Sequence, residues 1–183
     1  DQRQIRDWKR ERSDGARFLN LFAYTCTATA HAVAGGAAHT TSADLSRTYL
    51  DWGRRNLELN DLAGDEHLFV RADCLPWLRR TDERFDLVYV APPTWSASHD
   101  AHDEFDLQRD YGHLLGACAS VLAPGGRMVF STGSWSFEPD ARFLSHLGFE
   151  ERSDALCPED FKASRAKPRI WVSKAAAARP ARN

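Results

Sequence analysis

Between Arg17 and Ser46 an apolar run, a turn of small residues, an alanine-rich segment and a second short run ending in an acid follow one another. Phe18 to Phe22 reads as a parallel strand buried on both faces. Thr25 to Ala28 is small enough to let the backbone come close to a ligand. Thr27 to Ala34 reads as a helix ended by Gly35-Gly36, and Thr40 to Asp44 as a second strand. This order makes a β-α-β unit that opens a nucleotide-type binding domain, with its ligand at the carboxyl ends of the strands, where the positive end of the first helix also points. Asp44 lies 18 residues beyond Cys26, close to the ~20 at which an acid meets ribose hydroxyls in dinucleotide-binding folds. A carboxylate there accepts from both hydroxyls at once; it serves equally well as the cap of a helix starting near Ser46.

The rest of the chain continues the alternation. A charged amphipathic helix over Asp1 to Asp14, with Ile5 and Trp8 on one side, precedes the unit. A long helix runs from Ser46 to about Asn60, Leu68 to Arg71 is a strand followed at once by Asp73-Cys74, and a short helix covers Leu75 to Arg80. Phe85 to Val90 is a fourth strand. The prolines of Ala91-Pro92-Pro93-Thr94 exclude both a helix interior and a central strand after it. A polar loop, a helix from about Phe105 to Leu122, a turn at Pro124-Gly125-Gly126, a strand over Arg127 to Ser131 and a helix over Ala141 to Leu147 follow. Strands near Phe149 to Arg152 and Arg169 to Val172 end the sheet. The expected fold is α/β: a Rossmann-like, mainly parallel seven-stranded sheet with helices on both faces. Residues 1–14 read as the end of a longer upstream region, 15–174 as one domain and 175–183 as a disordered tail.

At 183 residues a single domain buries roughly 70% of its unfolded surface. No apolar segment is long enough to span a bilayer, and no secretory signal opens the chain. Cys26, Cys74, Cys118 and Cys157 stand far apart with no paired spacing. A disulfide framework or a metal site is therefore not expected, and reduced thiols in a cytoplasm are. The net charge of -2 is unevenly spread: residues 161–183 carry seven bases and no acid, residues 1–17 six bases against four acids, and the remainder 11 bases against 22 acids. Basic ends suit phosphate contact, and equally an ordinary solvated surface.

The Tyr24 to Ala28 turn, Asp44, Asp73-Cys74 and Ala91-Pro92-Pro93-Thr94 all fall at carboxyl ends of strands. With Asn20-Leu21-Phe22-Ala23-Tyr24-Thr25, Asp44-Leu45-Ser46, the helix ending Asn56-Leu57-Glu58-Leu59-Asn60, and Phe105-Asp106-Leu107-Gln108-Arg109-Asp110, the chain resembles the class I S-adenosylmethionine-dependent methyltransferases. Within them it is similar to the RlmK type, the C-terminal guanine-N7 methyltransferase half of the bifunctional 23S rRNA methyltransferases. Asp1-Gln2-Arg3 is similar to the end of that type's F-L-D-x-R motif. The resemblance covers nearly the whole chain and weakens after about Ser131.

The resemblance implies S-adenosyl-L-methionine as cofactor, 23S rRNA of the large-subunit precursor as partner, further domains in a longer parent chain, and no membrane. It implies that Asp44, beside Leu45 and Ser46, binds the cofactor ribose and Asp73 the adenine amino group, with Cys74 nearby. The turn of Phe22, Tyr24, Thr25 and Cys26 would meet the methionine end, and Arg3 would approach the cofactor carboxylate. Ala91, Pro92, Pro93 and Thr94 would face the target base, with Trp95 packing or stacking. Asp73 reads equally as a helix cap and Trp95 equally as a core residue. Guanine N7 carries its own lone pair, so transfer needs alignment rather than a base. Cytosine C5 chemistry needs a cysteine after the fifth strand, where Ser131-Thr132-Gly133 stands.

The chain departs from the pattern at Cys26, where the family has glycine, at Ala91, where it has the aspartate of a D-P-P turn, and at Gly133 for asparagine; Lys167 to Trp171 lacks a histidine. A left-handed backbone at Cys26 would cost about 1 to 2 kcal/mol and push a side chain into the cofactor's space. Two other readings stay open: a non-catalytic RNA-binding module, and a methyltransferase of small molecules.

Overall fold

A computed structural model describes residues 3–96, 104–159 and 167–176. The tail from 177 onward, Asp1-Gln2, and the bases Lys162, Arg165, Arg179 and Arg182 lie outside the described residues. In chain order the elements are α1 (Arg3–Arg10), β1 (Arg17–Leu21), α2 (Thr27–Val33), β2 (His39–Asp44), α3 (Arg47–Glu58), β3 (His67–Arg71), α4 (Cys74–Leu78) and β4 (Phe85–Val90). Then come β5 (Trp95–Ser96), β6 (Phe105–Asp106), α5 (Leu107–Ser120), β7 (Leu122–Thr132), α6 (Ala141–His146), β8 (Phe149–Glu151) and β9 (Arg169–Ser173).

Seven strands form one sheet in the order β3-β2-β1-β4-β7-β9-β8. The first five are parallel, and β9 runs antiparallel to both β7 and β8. Both faces are apolar, as a parallel sheet requires. Phe18, Leu87, Tyr89 and Val129 point to the side where Ile5 of α1 and Ala32 of α2 pack. Leu19, Leu21, Val88 and Val90 point to the other, where Cys74 and Leu78 of α4 and Leu107, Leu114 and Leu115 of α5 pack. The strand order reverses between β1 and β4, which puts a crevice beyond the carboxyl ends of those two strands.

Three sequence expectations change. Phe22 does not extend β1: its φ is 54°, and it begins the turn. The helix expected from Phe105 starts at Leu107, because Asp106 caps it by accepting from the Arg109 N–H at 2.9 Å; Phe105–Asp106 instead pairs with Trp95–Ser96 as a two-stranded ribbon. Pro124-Gly125-Gly126 is not a turn between elements but part of the long β7. The register against β4 shifts there, Gly125 adopts φ +81°, and Ala176 pairs with both glycines at 3.0 and 2.8 Å. No described helix is long and apolar enough to cross a membrane.

Candidate functional site

The turn leaving β1 is unusual. Phe22, Tyr24 and Cys26, none of them glycine, have φ of 54°, 49° and 55°. Left-handed backbone at such residues costs of order 1 kcal/mol or more each, so the surroundings must hold it. They do so from three elements. The Ala23 N–H donates to Ala43 O at 3.1 Å, the Cys26 N–H to Ala23 O at 2.8 Å, and the Asn56 amide of α3 to Thr25 O at 2.7 Å. The Phe22 N–H meets Cys74 Sγ at 3.4 Å, and that thiol in turn donates to Ala43 O at 3.6 Å.

Asp44, at the end of β2, completes the brace. Its Oδ2 accepts the Tyr24 N–H and its Oδ1 the Ser46 N–H, each at 2.9 Å. It does not cap α3; Ser46 does, through Oγ to the Tyr49 N–H at 3.3 Å. The carboxylate is thus fixed in direction, with a lone pair on each oxygen left to face the crevice. Asp73 does cap α4, its Oδ1 accepting the Leu75 N–H at 3.3 Å. It also lines the crevice.

An open cavity of about 850 Å³ is lined by Phe22, Tyr24, Asp44, Leu45, Ser46, Asp73, Cys74, Ala91 and Pro93, with Tyr49 and Phe105, and by Arg47 and Arg71. Tyr24 and Tyr49 meet edge to face at 4.5 Å between ring centres on its rim. The Phe105 ring lies 5.6 Å from that of Phe22, so the ribbon closes one side. A volume of that size suits a cofactor-sized molecule; fixed acceptors at Asp44 and Asp73 and an apolar wall at Phe22 and Phe105 suit a ribose joined to a planar base.

A second cavity of about 560 Å³ adjoins the first. It shares Phe22, Tyr24 and Ala91 with it and adds Arg6, Lys9, Asn20, Thr25, Thr27 and Tyr89. Sequence reasoning did not include Arg6, Lys9, Asn20 or Tyr89. The available signal was Lys9 itself, a lysine four residues after Ile5 on the apolar side of α1.

Nine of the residues singled out from sequence share the larger cavity. Thr25 lines only the second; Pro92 is buried beneath the turn and Thr94 is exposed, its carbonyl accepting the Leu107 N–H at 3.0 Å. Arg3 opens α1. Cys26 lines neither cavity, which corrects the expectation that it intrudes on a ligand. Its side chain is wholly buried between α2 and α3 with Ala23, Leu50 and Phe69, lying against Gly53, where any side chain would overlap its sulfur. Its backbone is left-handed, as the glycine pattern suggested. Trp95 is 58% exposed and is not core, and Trp135, just beyond β7, is 82% exposed.

Burial pushes the Cys26 and Cys74 thiols up to about 12 and raises Cys118 as well. These thiols are expected to resist a disulfide reagent at pH 8 until the chain unfolds. The unfolded chain releases their protons first, so this contribution to stability is complete below about pH 8.5 and falls as pH rises toward 12. An alkaline series of thermal melts checks it. Among the described residues no group of three His, Cys, Asp or Glu is placed to hold a metal ion.

A family model described as S-adenosylmethionine-dependent methyltransferase matches residues 1–156. Ribosomal RNA large subunit methyltransferase K/L of Hahella chejuensis is 44% identical over 171 residues, 93% of this chain and 24% of that protein. The protein of the same name from Allochromatium vinosum is 44% identical over 174 residues, 94% of this chain and 24% of its own length. The chain thus spans about a quarter of the length of these curated relatives. Among solved structures, SMU.776 complexed with SAH superposes with a TM-score of 0.77 at 24% identity, over 94% of this chain and 48% of that one.

Proposed function

The chain belongs to the S-adenosylmethionine-dependent methyltransferase family, and from that premise we propose that it methylates large-subunit ribosomal RNA, 23S rRNA in its precursor form, at a guanine N7 held out of the stack. The observation that carries the choice of atom is Ala91. Just beyond β4 it lines the cavity with a methyl group, a side chain with no acceptor. A nucleophile that must lose a proton finds no base at that position, whereas N7 has none to lose. Cytosine C5 attack would need a thiolate, and all four cysteines are buried.

In this reading Asp44 accepts from the ribose hydroxyls and the second oxygen of Asp73 from the adenine amino group. Leu45, Ser46 and Cys74 form walls, and Phe22, Tyr24 and Thr25 turn the aminoacyl end. When bound, S-adenosylmethionine supplies an electrophilic methyl on a sulfonium. The rigid Pro92-Pro93 turn holds the approach, and the exposed Thr94 and Trp95 offer a polar group and a stacking face to a base. N7 lies in the deep groove of A-form RNA, which side chains read poorly, so the base must be splayed to reach them. Residues 15–174 are proposed as the methyltransferase unit of a longer cytoplasmic protein.

The absence of a carboxylate at position 91 is proposed to slow transfer without disturbing the fold. Titration calorimetry should give micromolar binding of S-adenosylhomocysteine by the parent. An Ala91→Asp, Cys26→Gly variant should transfer labelled methyl to large-subunit rRNA about 10-fold faster; equal rates would show that Ala91 is not limiting. Absence of binding by the parent with recovery in the variant would favour the second reading that Ala91 supports, a non-catalytic RNA-binding module.

A further inference from the structure

Lys9 is among the largest wholly buried side chains of the described residues. Helix periodicity explains its position: α1 turns Ile5 and Lys9 inward together, onto the β-sheet face that carries Tyr89. The ammonium sits 3.4 Å from the centre of the Tyr89 ring, and among the described residues it has no hydrogen-bond partner. The aromatic face recovers only part of what an ammonium loses on leaving water. Burial, with Arg6 close by, accordingly pushes Lys9 well below the usual lysine range. A donor kept dry at this cost, at the edge of an open cavity, is suited to an anion that enters later.

The cavity it lines specifies that anion's sign and place. Arg6 and Lys9 stand on one side, Asn20, Thr25 and Thr27 supply neutral polar groups, and no acidic residue lines it. The larger cavity, with Asp44 and Asp73 and also Arg47 and Arg71, lies alongside this one and shares Phe22, Tyr24 and Ala91 with it. A molecule whose adenosine lies against the two carboxylates therefore passes its sulfur beside Ala91 and brings its far end to Lys9.

We propose that Lys9 holds the α-carboxylate of the S-adenosyl cofactor, an assignment that rests on the cofactor reading above. The lysine thereby measures the length of the ligand. It separates molecules that carry the amino-acid tail from nucleosides that do not.

The test is titration calorimetry of the whole chain with S-adenosylhomocysteine and with 5′-methylthioadenosine, which keeps adenosine and sulfur but has no carboxylate. Lys9→Met should weaken the first by about 20-fold or more and leave the second within about 2-fold. Unchanged binding of S-adenosylhomocysteine, or equal loss of both ligands, overturns the assignment. Lys9→Gln serves if the methionine variant does not fold. One measurement needs no variant: the parent should bind decarboxylated S-adenosylhomocysteine about 20-fold more weakly than S-adenosylhomocysteine, and equal affinities overturn the proposal. If the parent binds none of these ligands, the cofactor reading itself fails, an outcome distinct from binding that ignores the carboxylate.

Discussion

Replacing Asp44 with alanine is expected to weaken S-adenosylhomocysteine binding by about 100-fold or more. Two effects add. On the proposed cofactor reading, charged hydrogen bonds to two ribose hydroxyls are lost, each worth about 1.5 to 3 kcal/mol at most. In addition, the Tyr24 and Ser46 N–H groups lose their acceptor, and the left-handed turn loses one of its braces. Thermal stability should therefore fall too, by about 1 to 3 kcal/mol. Asp44→Asn separates the contributions: it keeps the shape but aims an amide at an N–H, so it should bind about as poorly as alanine. Calorimetry beside thermal melts measures both, and wild-type affinity in either variant would remove Asp44 from the binding reading.

Gly53→Ala is expected to destabilise the protein, against the ordinary trend for glycine inside a helix. Alanine in place of helical glycine is normally favourable by about 1 kcal/mol. Here a methyl group at position 53 overlaps Cys26 Sγ and lies 2.8 Å from Cys26 Cβ, with Phe69 3.2 Å away. The thiol is enclosed by Ala23, Leu50 and Phe69 and cannot step aside. Overpacking of this kind costs about 1 to 3 kcal/mol, which in a chain of this size lowers Tm by about 2 to 4 °C per kcal/mol. In a Cys26→Gly background the same substitution should become neutral or stabilising. A double-mutant cycle by thermal or urea unfolding should return a coupling of about 2 kcal/mol. Additive effects would show that the two residues are not in register.

What could be read from the sequence was local or periodic. Runs such as Phe18 to Leu21 and Phe85 to Val90 announce strands covered on both faces, and the acid closing the second run places Asp44 at the carboxyl end of β2. What could not be read depended on partners far along the chain. Cys26 looked like an obstruction because its direction is set by Gly53, 27 residues later and on another helix. The glycines of Pro124-Gly125-Gly126 looked like a turn because their pairing with Ala176 lies about fifty residues away. Two-residue strands such as β5 and β6 have no period to detect. Lys9 counts in the sequence as one of six bases among residues 1–17; its spacing from Ile5 hints that it faces inward, and the packing of α1 on Tyr89 shows it.

The contact between Cys26 and Gly53 also imposes an order on sequence change. A thiol at position 26 and a side chain at position 53 together cost about 1 to 3 kcal/mol, so glycine at 53 favours entry of the thiol, and the thiol once in place disfavours any side chain at 53. The constraint is therefore one-sided: Cys26 can give way to glycine alone, whereas position 53 accepts a side chain at low cost only after the thiol has gone.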